Sequence, residues 1–273
     1  MPQLGYGCYQ VTNEEAFFHA IKAGYRNLDT AAFYENEEAV GRQVRRAIAE
    51  LGLAREDLFI STKTWVDTMG YESTVKAVET ALAKLDIGYI DLLFLHFPVN
   101  DELPVEYPNH EVDRNESWRA FEGFVDKGLV RHLGISNFLP NHIESLLKVA
   151  KIPPSVNQFE LHPLYQELDT IASCRKHGII VQSYSPFAQW NAKLVTHPTL
   201  LQICQELSVD VARVILAWNI AKGFAVLAKS SSLERIESNF KIGGIELSGE
   251  QIERIDAMGA EKFKVEWDPQ GYP

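Results

Sequence analysis

The chain has 273 residues, of which 46% are apolar and 23% charged, and its net charge is −11. That is ample for one large core and excludes a disordered polymer. The acidity argues against a general binder of nucleic acid or of an anionic membrane, and leaves room for one anionic ligand where basic residues cluster.

Short β-rich runs alternate with amphipathic helices along the chain. Strand Leu4–Cys8 is followed by helix Glu14–Ala23, with Asn13 as its cap and Gly24 as its end. Strand Arg26–Asp29 leads to helix Asn36–Leu51, in which Val40, Val44, Ile48 and Leu51 recur at helical spacing. Strand Leu58–Thr64 precedes helix Tyr71–Leu85. Strand Ile90–Leu95 precedes helix Glu116–Lys127, after a polar loop over Val99–Asn115. Strands Val130–Ile135, Ser155–Phe159, Ile179–Tyr184 and Ala225–Ala228 complete the set, with helices at Pro140–Ala150, Glu167–His177, Val211–Ile220 and Leu233–Lys241. A second long loop is expected over Pro186–Pro198, and Ser248–Met258 reads as an added helix with a tail that folds back.

Eight strand–helix units suggest a parallel (β/α)8 barrel or a doubly wound sheet. The barrel fits the length better. The first strand, Gly5-Tyr6-Gly7-Cys8-Tyr9-Gln10, lacks the third glycine of the dinucleotide fingerprint. No linker or composition shift divides the chain, so residues 1–273 are expected to form a single domain. Cys8, Cys174 and Cys204 show no metal or disulfide spacing and read as reduced thiols of a cytoplasmic protein. The first residues do not look like a signal peptide, and no apolar run approaches the roughly 20 residues of a membrane span.

Four ionisable side chains, Asp29, Tyr34, Lys63 and His96, fall at or just beyond the ends of consecutive strands, where a barrel places its chemistry. Singly each has an ordinary explanation: a turn aspartate, a half-buried aromatic, a solvated lysine, a core histidine. Together they make an acid with its tuner. The phenol could give a proton, Lys63 would lower its pKa, Asp29 would pair with the ammonium, and His96 could bond a substrate oxygen. A metal is a weak alternative, because there is no HExxH and no second histidine beside His96. A Schiff-base lysine, Lys63 or Lys229, is a stronger one.

A second constellation bears on that choice. The last strand runs into Lys229-Ser230-Ser231-Ser232-Leu233-Glu234-Arg235, where a helix begins. Helix amides, hydroxyls and two cations suit a phosphate, at the end of a barrel that tends to bind one. Ser136-Asn137 and Gln158 offer amides and hydroxyls that could hold a carboxamide, and Tyr184 could stack on a flat ring.

These motifs in this order resemble the aldo-keto reductase superfamily. The stretches are Asp29-Thr30-Ala31, Tyr34-Glu35-Asn36-Glu37, Thr62-Lys63-Thr64-Trp65, Leu95-His96-Phe97-Pro98, Gly134-Ile135-Ser136-Asn137-Phe138, Asn157-Gln158 with His162-Pro163, Tyr184-Ser185-Pro186, and Lys229-Ser230 through Asn239-Phe240. The resemblance implies a (β/α)8 barrel that binds NADPH and reduces a small-molecule carbonyl substrate, sugar-derived ones included. It makes Tyr34 the general acid, Lys63 with Asp29 its tuner, and His96 the residue that orients the carbonyl. Ser136, Asn137 and Gln158 would hold the carboxamide, Tyr184 would stack on the ring, and Ser185 and Phe187 would line the cofactor. Lys229, Ser230, Ser232 and Arg235 would hold the 2′-phosphate, with Asn239 facing the adenine. Tyr9, Phe33, Trp65, Phe97 and Trp190 would form the substrate walls. A monomer without metal is expected.

Several departures from the family pattern stand out. Tyr9 and Phe97 occupy positions where many members carry tryptophan. Ser238 replaces a frequent glutamate, and Ala228 a frequent proline. The hairpin that usually precedes the first strand is missing, so either side chains close the barrel bottom or the chain lacks its native start. The stretch after Met258 is short, which implies an open pocket.

Overall fold

The eight β-rich runs form eight parallel strands that close on themselves in sequence order. The computed structural model describes all residues, 1–273. In chain order the first half comprises β1 (Leu4–Gly7), α1 (Glu15–Ala23), β2 (Asn27–Asp29), α2 (Glu37–Leu51), β3 (Phe59–Thr64), α3 (Tyr71–Leu85), β4 (Ile90–Leu95) and α4 (His110–Asp126). The second half comprises β5 (Val130–Ser136), α5 (Pro140–Leu147), β6 (Val156–Glu160), α6 (Leu168–Lys176), β7 (Ile180–Tyr184), α7 (Ala192–Val195), α8 (Pro198–Leu207), α9 (Val211–Ala221), β8 (Ala225–Ala228), α10 (Leu233–Phe240) and α11 (Gly249–Asp256).

Closure explains the near-continuous apolar runs, because each strand is buried on both faces. In β4, Leu92 and Phe94 fill the barrel with Val156 against Phe59, whereas Leu93 and Leu95 join the larger core between sheet and helices. The register carries Asp29 beside Ser61, Lys63 beside Phe94, and Ser136 beside Gln158. Polar side chains of neighbouring strands therefore share the upper end of the barrel.

Helix ends follow local chemistry. Gly24 ends α1 in the left-handed region at φ 118°, and a Cβ there would meet the Phe240 ring at 2.4 Å. Asn13 does not cap α1. The N-cap is Glu14, and the Asn13 side chain accepts from the Glu15 amide at 3.2 Å.

Two further expectations differ from the structure. Helix α4 starts at His110, inside the stretch read as loop, because His110 and Arg114 face inward and are buried. Helix α8 was not expected. His197 and Pro198 start it, and Leu200 and Ile203 carry its buried face. At the barrel bottom no hairpin is present. There the Asn27 side chain donates to Pro2 O at 3.3 Å, and the Gln182 amide reaches the Met1 sulfur at 3.9 Å. No helix is long and apolar enough to cross a membrane.

Candidate active site

Tyr34 reaches the barrel mouth on a tight turn after β2. A 3-10 turn over Ala32–Tyr34 stops at Glu35, which is left-handed at φ 54°. Thr30 Oγ1 donates to Asn36 Oδ1, and Asn36 Nδ2 donates to Cys8 O at 2.8 Å, so the turn is tied to the loop after β1.

Beneath the phenol lies a closed charge network. Lys63 Nζ donates to Asp29 Oδ2 at 2.5 Å, to Thr30 O at 3.0 Å and to Tyr34 Oη at 3.2 Å. Those three acceptors use all three ammonium donors. The other Asp29 oxygen accepts from Ser61 Oγ and Gln158 Nε2, both at 2.9 Å. Because the phenol oxygen accepts from Lys63, its own O–H is free to point into the cleft. His96 sits at the end of β4, 5.6 Å from Tyr34 between ring centroids, and its backbone carbonyl is held by Asn137 Nδ2 at 3.0 Å.

Burial dominates the electrostatics. It pushes the Tyr34 phenol well above its ordinary value, and the Asp29 carboxylate adds to that. The net shift is upward, against the lowering expected from Lys63, because burial outweighs the other influences on the phenol. Burial lowers Lys63, against the opposing pull of Asp29. Burial, and then the Lys63 charge, hold His96 well below its usual range, so its imidazole is neutral. At neutral pH the site therefore presents a protonated phenol and a neutral histidine around a paired charge.

A cleft of about 890 Å³ runs from Tyr34, His96 and Gln158, past Tyr184, Ser185 and Phe187, to Lys229, Ser230, Arg235 and Asn239. At its far end Lys229 and Arg235 are exposed, and Arg235 Nε lies 3.4 Å from Ser230 Oγ. Ser232 caps α10 by accepting from the Arg235 amide at 3.4 Å, so its hydroxyl serves the helix.

Not every expected residue lines this cleft. Ser136 donates to Gln158 O at 2.8 Å, and Asn137 is buried, its Oδ1 accepting from Tyr184 Oη at 2.8 Å. Both brace the site from below. Phe97 is buried with Val66 and Val99 under Tyr272, away from the cleft. Phe33 stacks on Trp65 with centroids 4.1 Å apart, and Tyr9 lies 4.9 Å from Tyr34. Trp190 lines the rim and is 53% exposed.

The tail corrects the expectation of an open pocket. The buried Glu160 carboxylate accepts the Val265 and Glu266 amides, each at 2.8 Å, and is bonded by His162 Nε2 at 3.0 Å. Further on, Arg114 Nη1 donates to Pro273 O at 2.8 Å and His142 Nε2 to Tyr272 O at 3.0 Å. Held at both points, the tail sets Trp267 against His96, with ring centroids 5.6 Å apart, and against Trp65 at 5.5 Å. Glu266 and Trp267 both line the cleft, and neither was expected there. The available signal was the run of apolar and aromatic residues in the tail, Phe263, Val265, Trp267 and Tyr272, among charged residues and proline. The loop after β7 is left-handed at Ser185, Ala188, Gln189 and Trp190, with φ of 46°, 45°, 55° and 62°. Each such non-glycine residue costs roughly 1–2 kcal/mol. No group of three or more His, Cys, Asp or Glu side chains is arranged to hold a metal ion.

Comparison with known proteins agrees with this geometry. Residues 10–260 match the model of the Aldo/keto reductase family. The chain is 38% identical over 266 residues to a glyoxal reductase of Bacillus subtilis, covering 96% of this chain and 90% of that protein. It superposes on the aldo-keto reductase enzyme MGS-M4, from a Medee basin deep-sea metagenome library, with a TM-score of 0.90 and 31% identity, covering 99% of this chain and 95% of that one. It is also similar to a Bombyx mori aldo-keto reductase in complex with NADP, with a TM-score of 0.87 and 31% identity, covering 97% and 91% of the two chains. With its strand-end tetrad on a closed eight-stranded barrel and this match across most of its length, the chain belongs to the aldo/keto reductase family.

Proposed function

We propose that this protein is an NADPH-dependent reductase that converts small aldehydes or ketones, sugar-derived ones included, to alcohols. The carrying observation is the 3.2 Å contact from Lys63 Nζ to Tyr34 Oη, above the Lys63–Asp29 pair and beside a neutral His96.

The cleft fits the cofactor. Its length separates the tetrad from Lys229 and Arg235, two exposed cations on a chain of net charge −11. A 2′-phosphate at that end would be met by both cations, Ser230 and the start of α10. Gln158 and Tyr184 line the cleft near the tetrad, where a nicotinamide would lie, and Asn239 lines it with Lys229 and Arg235, where the adenine would lie. When bound, NADPH supplies the hydride.

The protein's own groups do the rest. The Tyr34 O–H donates to the carbonyl oxygen and passes its proton to the developing alkoxide. The Lys63 ammonium is already bonded to the phenol oxygen, so it stabilises the phenolate as it forms. His96, neutral, donates a second hydrogen bond to the carbonyl oxygen and fixes its direction. Tyr9, Phe33, Trp65 and Trp267 exclude water from this end. Proton donation of this kind contributes about 10²–10⁴-fold.

All four tetrad residues come from one chain, which supports a monomer as the acting unit. The free cysteines, two of them buried, support a cytoplasmic setting. The relative named for glyoxal reduction supports small polar carbonyl compounds as substrates.

The test is a panel of aldehydes and ketones assayed with NADPH and NADH side by side, for the natural protein and for Lys229→Ala and Arg235→Ala. Each variant should raise KM for NADPH about tenfold and leave KM for NADH nearly unchanged. Equal preference for the two cofactors in the natural protein, or no change in the variants, would refute the 2′-phosphate assignment.

A further inference from the structure

Three carboxylates line the cleft: Asp29, Asp210 and Glu266. Asp29 is paired with Lys63, and Asp210 with Arg213 at 2.7 Å. Glu266 is held by neutral donors alone. Its Oε1 accepts from Ser185 Oγ at 2.7 Å and from Gln189 Nε2 at 3.0 Å. These bonds tie the C-terminal tail to the loop after β7. Ser185, Gln189 and Glu266 all line the cleft that joins the tetrad to the cations at Lys229 and Arg235. The Glu266 charge also reaches Tyr184 and helps to raise its phenol.

We propose that Glu266 is a latch on the cofactor cleft: its carboxylate ties the tail to the loop after β7 across the path of the dinucleotide, and the dinucleotide must displace it to bind. The inference rests on the NADPH reading above. The dinucleotide is a polyanion, and a carboxylate without a cation in its path repels it. The Ser185 hydroxyl has one proton and cannot donate to Glu266 and to a phosphate at once. The loop that Glu266 holds is left-handed at Ser185, Ala188, Gln189 and Trp190, so it has an unstrained alternative once released. Trp267 follows Glu266 directly and packs on His96, so opening the latch also loosens the roof of the substrate end.

The test is binding followed by tryptophan fluorescence, at equilibrium and by stopped flow, for the natural protein, Glu266→Gln and Glu266→Ala. The probes are NADPH and adenosine 2′,5′-bisphosphate, which needs only the Lys229–Arg235 end. In the natural protein the observed rate for NADPH should level off with concentration, because latch opening limits it. Glu266→Gln should tighten NADPH about tenfold, Glu266→Ala should also raise the rate ceiling, and the bisphosphate should bind all three alike. An unchanged or weaker NADPH affinity in Glu266→Gln, or an equal gain for the bisphosphate, would overturn the latch. Tight NADPH binding with no carbonyl reduced would refute the reductase and leave the latch standing. Failure of NADPH to bind any of the three proteins would refute both.

Discussion

At the scale of single residues, Lys63 holds the site together. Its three donors meet Asp29, Thr30 and Tyr34 with the side chain fully buried. Removing it leaves the Asp29 carboxylate buried without a counter-charge, which costs about 3–5 kcal/mol. Lys63→Met should therefore lower Tm as well as kcat. Adding Asp29→Asn should recover most of the lost stability and none of the activity, as thermal melts and steady-state assays on the single and double variants would show. Equal Tm loss in both would contradict the pairing. The four residues were legible in the sequence because each falls at or beside a strand end, and strand ends converge in a barrel. The direction of the Tyr34 shift was not legible. It depends on burial depth and on the nearness of the Asp29 carboxylate, and neither is visible in a string of residues. Phe97 was misplaced for a related reason. One step past His96, its side chain turns away from the mouth and under Tyr272.

At the scale of elements, helix contacts and the tail decide the outcome. Gly41 lies in α2 where α3 ends, and a Cβ there would meet the Leu85 carbonyl oxygen at 2.0 Å. Backbone cannot yield as a flexible side chain can. Gly41→Ala should cost about 1–3 kcal/mol or more, read as a lowered urea midpoint. The tail is anchored partly by His142. Its Nδ1 accepts the Leu139 amide at 3.1 Å and its Nε2 donates to Tyr272 O, so the neutral ring is the bonded form. Burial lowers its pKa from 6.5 to about 4. Between those values the unfolded chain binds the extra proton. His142 therefore contributes stability that is complete above about pH 6.5 and is lost as pH falls toward 4, at most about 3 kcal/mol. His142→Gln should be less stable than the natural protein at pH 7, and that gap should narrow as the pH falls to 4.5, in urea titrations at the two values. A constant gap would contradict the assignment. The strand positions were readable because apolar runs between turn residues have few alternatives. The covering tail was not, since Val265 and Glu266 are fixed by Glu160, a partner more than a hundred residues away.

At the scale of the whole molecule, the closed barrel explains how one acidic chain can bind an anionic cofactor. Its strand ends separate a buried, balanced charge cluster at Asp29 and Lys63 from two exposed cations at Lys229 and Arg235, with the cleft joining them. The barrel itself followed from eight alternating units and the missing third glycine near Gly7. Helix α8 escaped notice because β7 and β8 are joined by three helices where alternation leads one to expect one. The proposed chemistry rests on Tyr34 as the proton donor. The most direct measurement is NADPH consumption in the presence of an aldehyde by Tyr34→Phe, with NADPH affinity measured in parallel by fluorescence. The expected result is a loss of kcat of about hundredfold or more with cofactor binding unchanged. Near-normal turnover by Tyr34→Phe, with NADPH bound as in the natural protein, would contradict it.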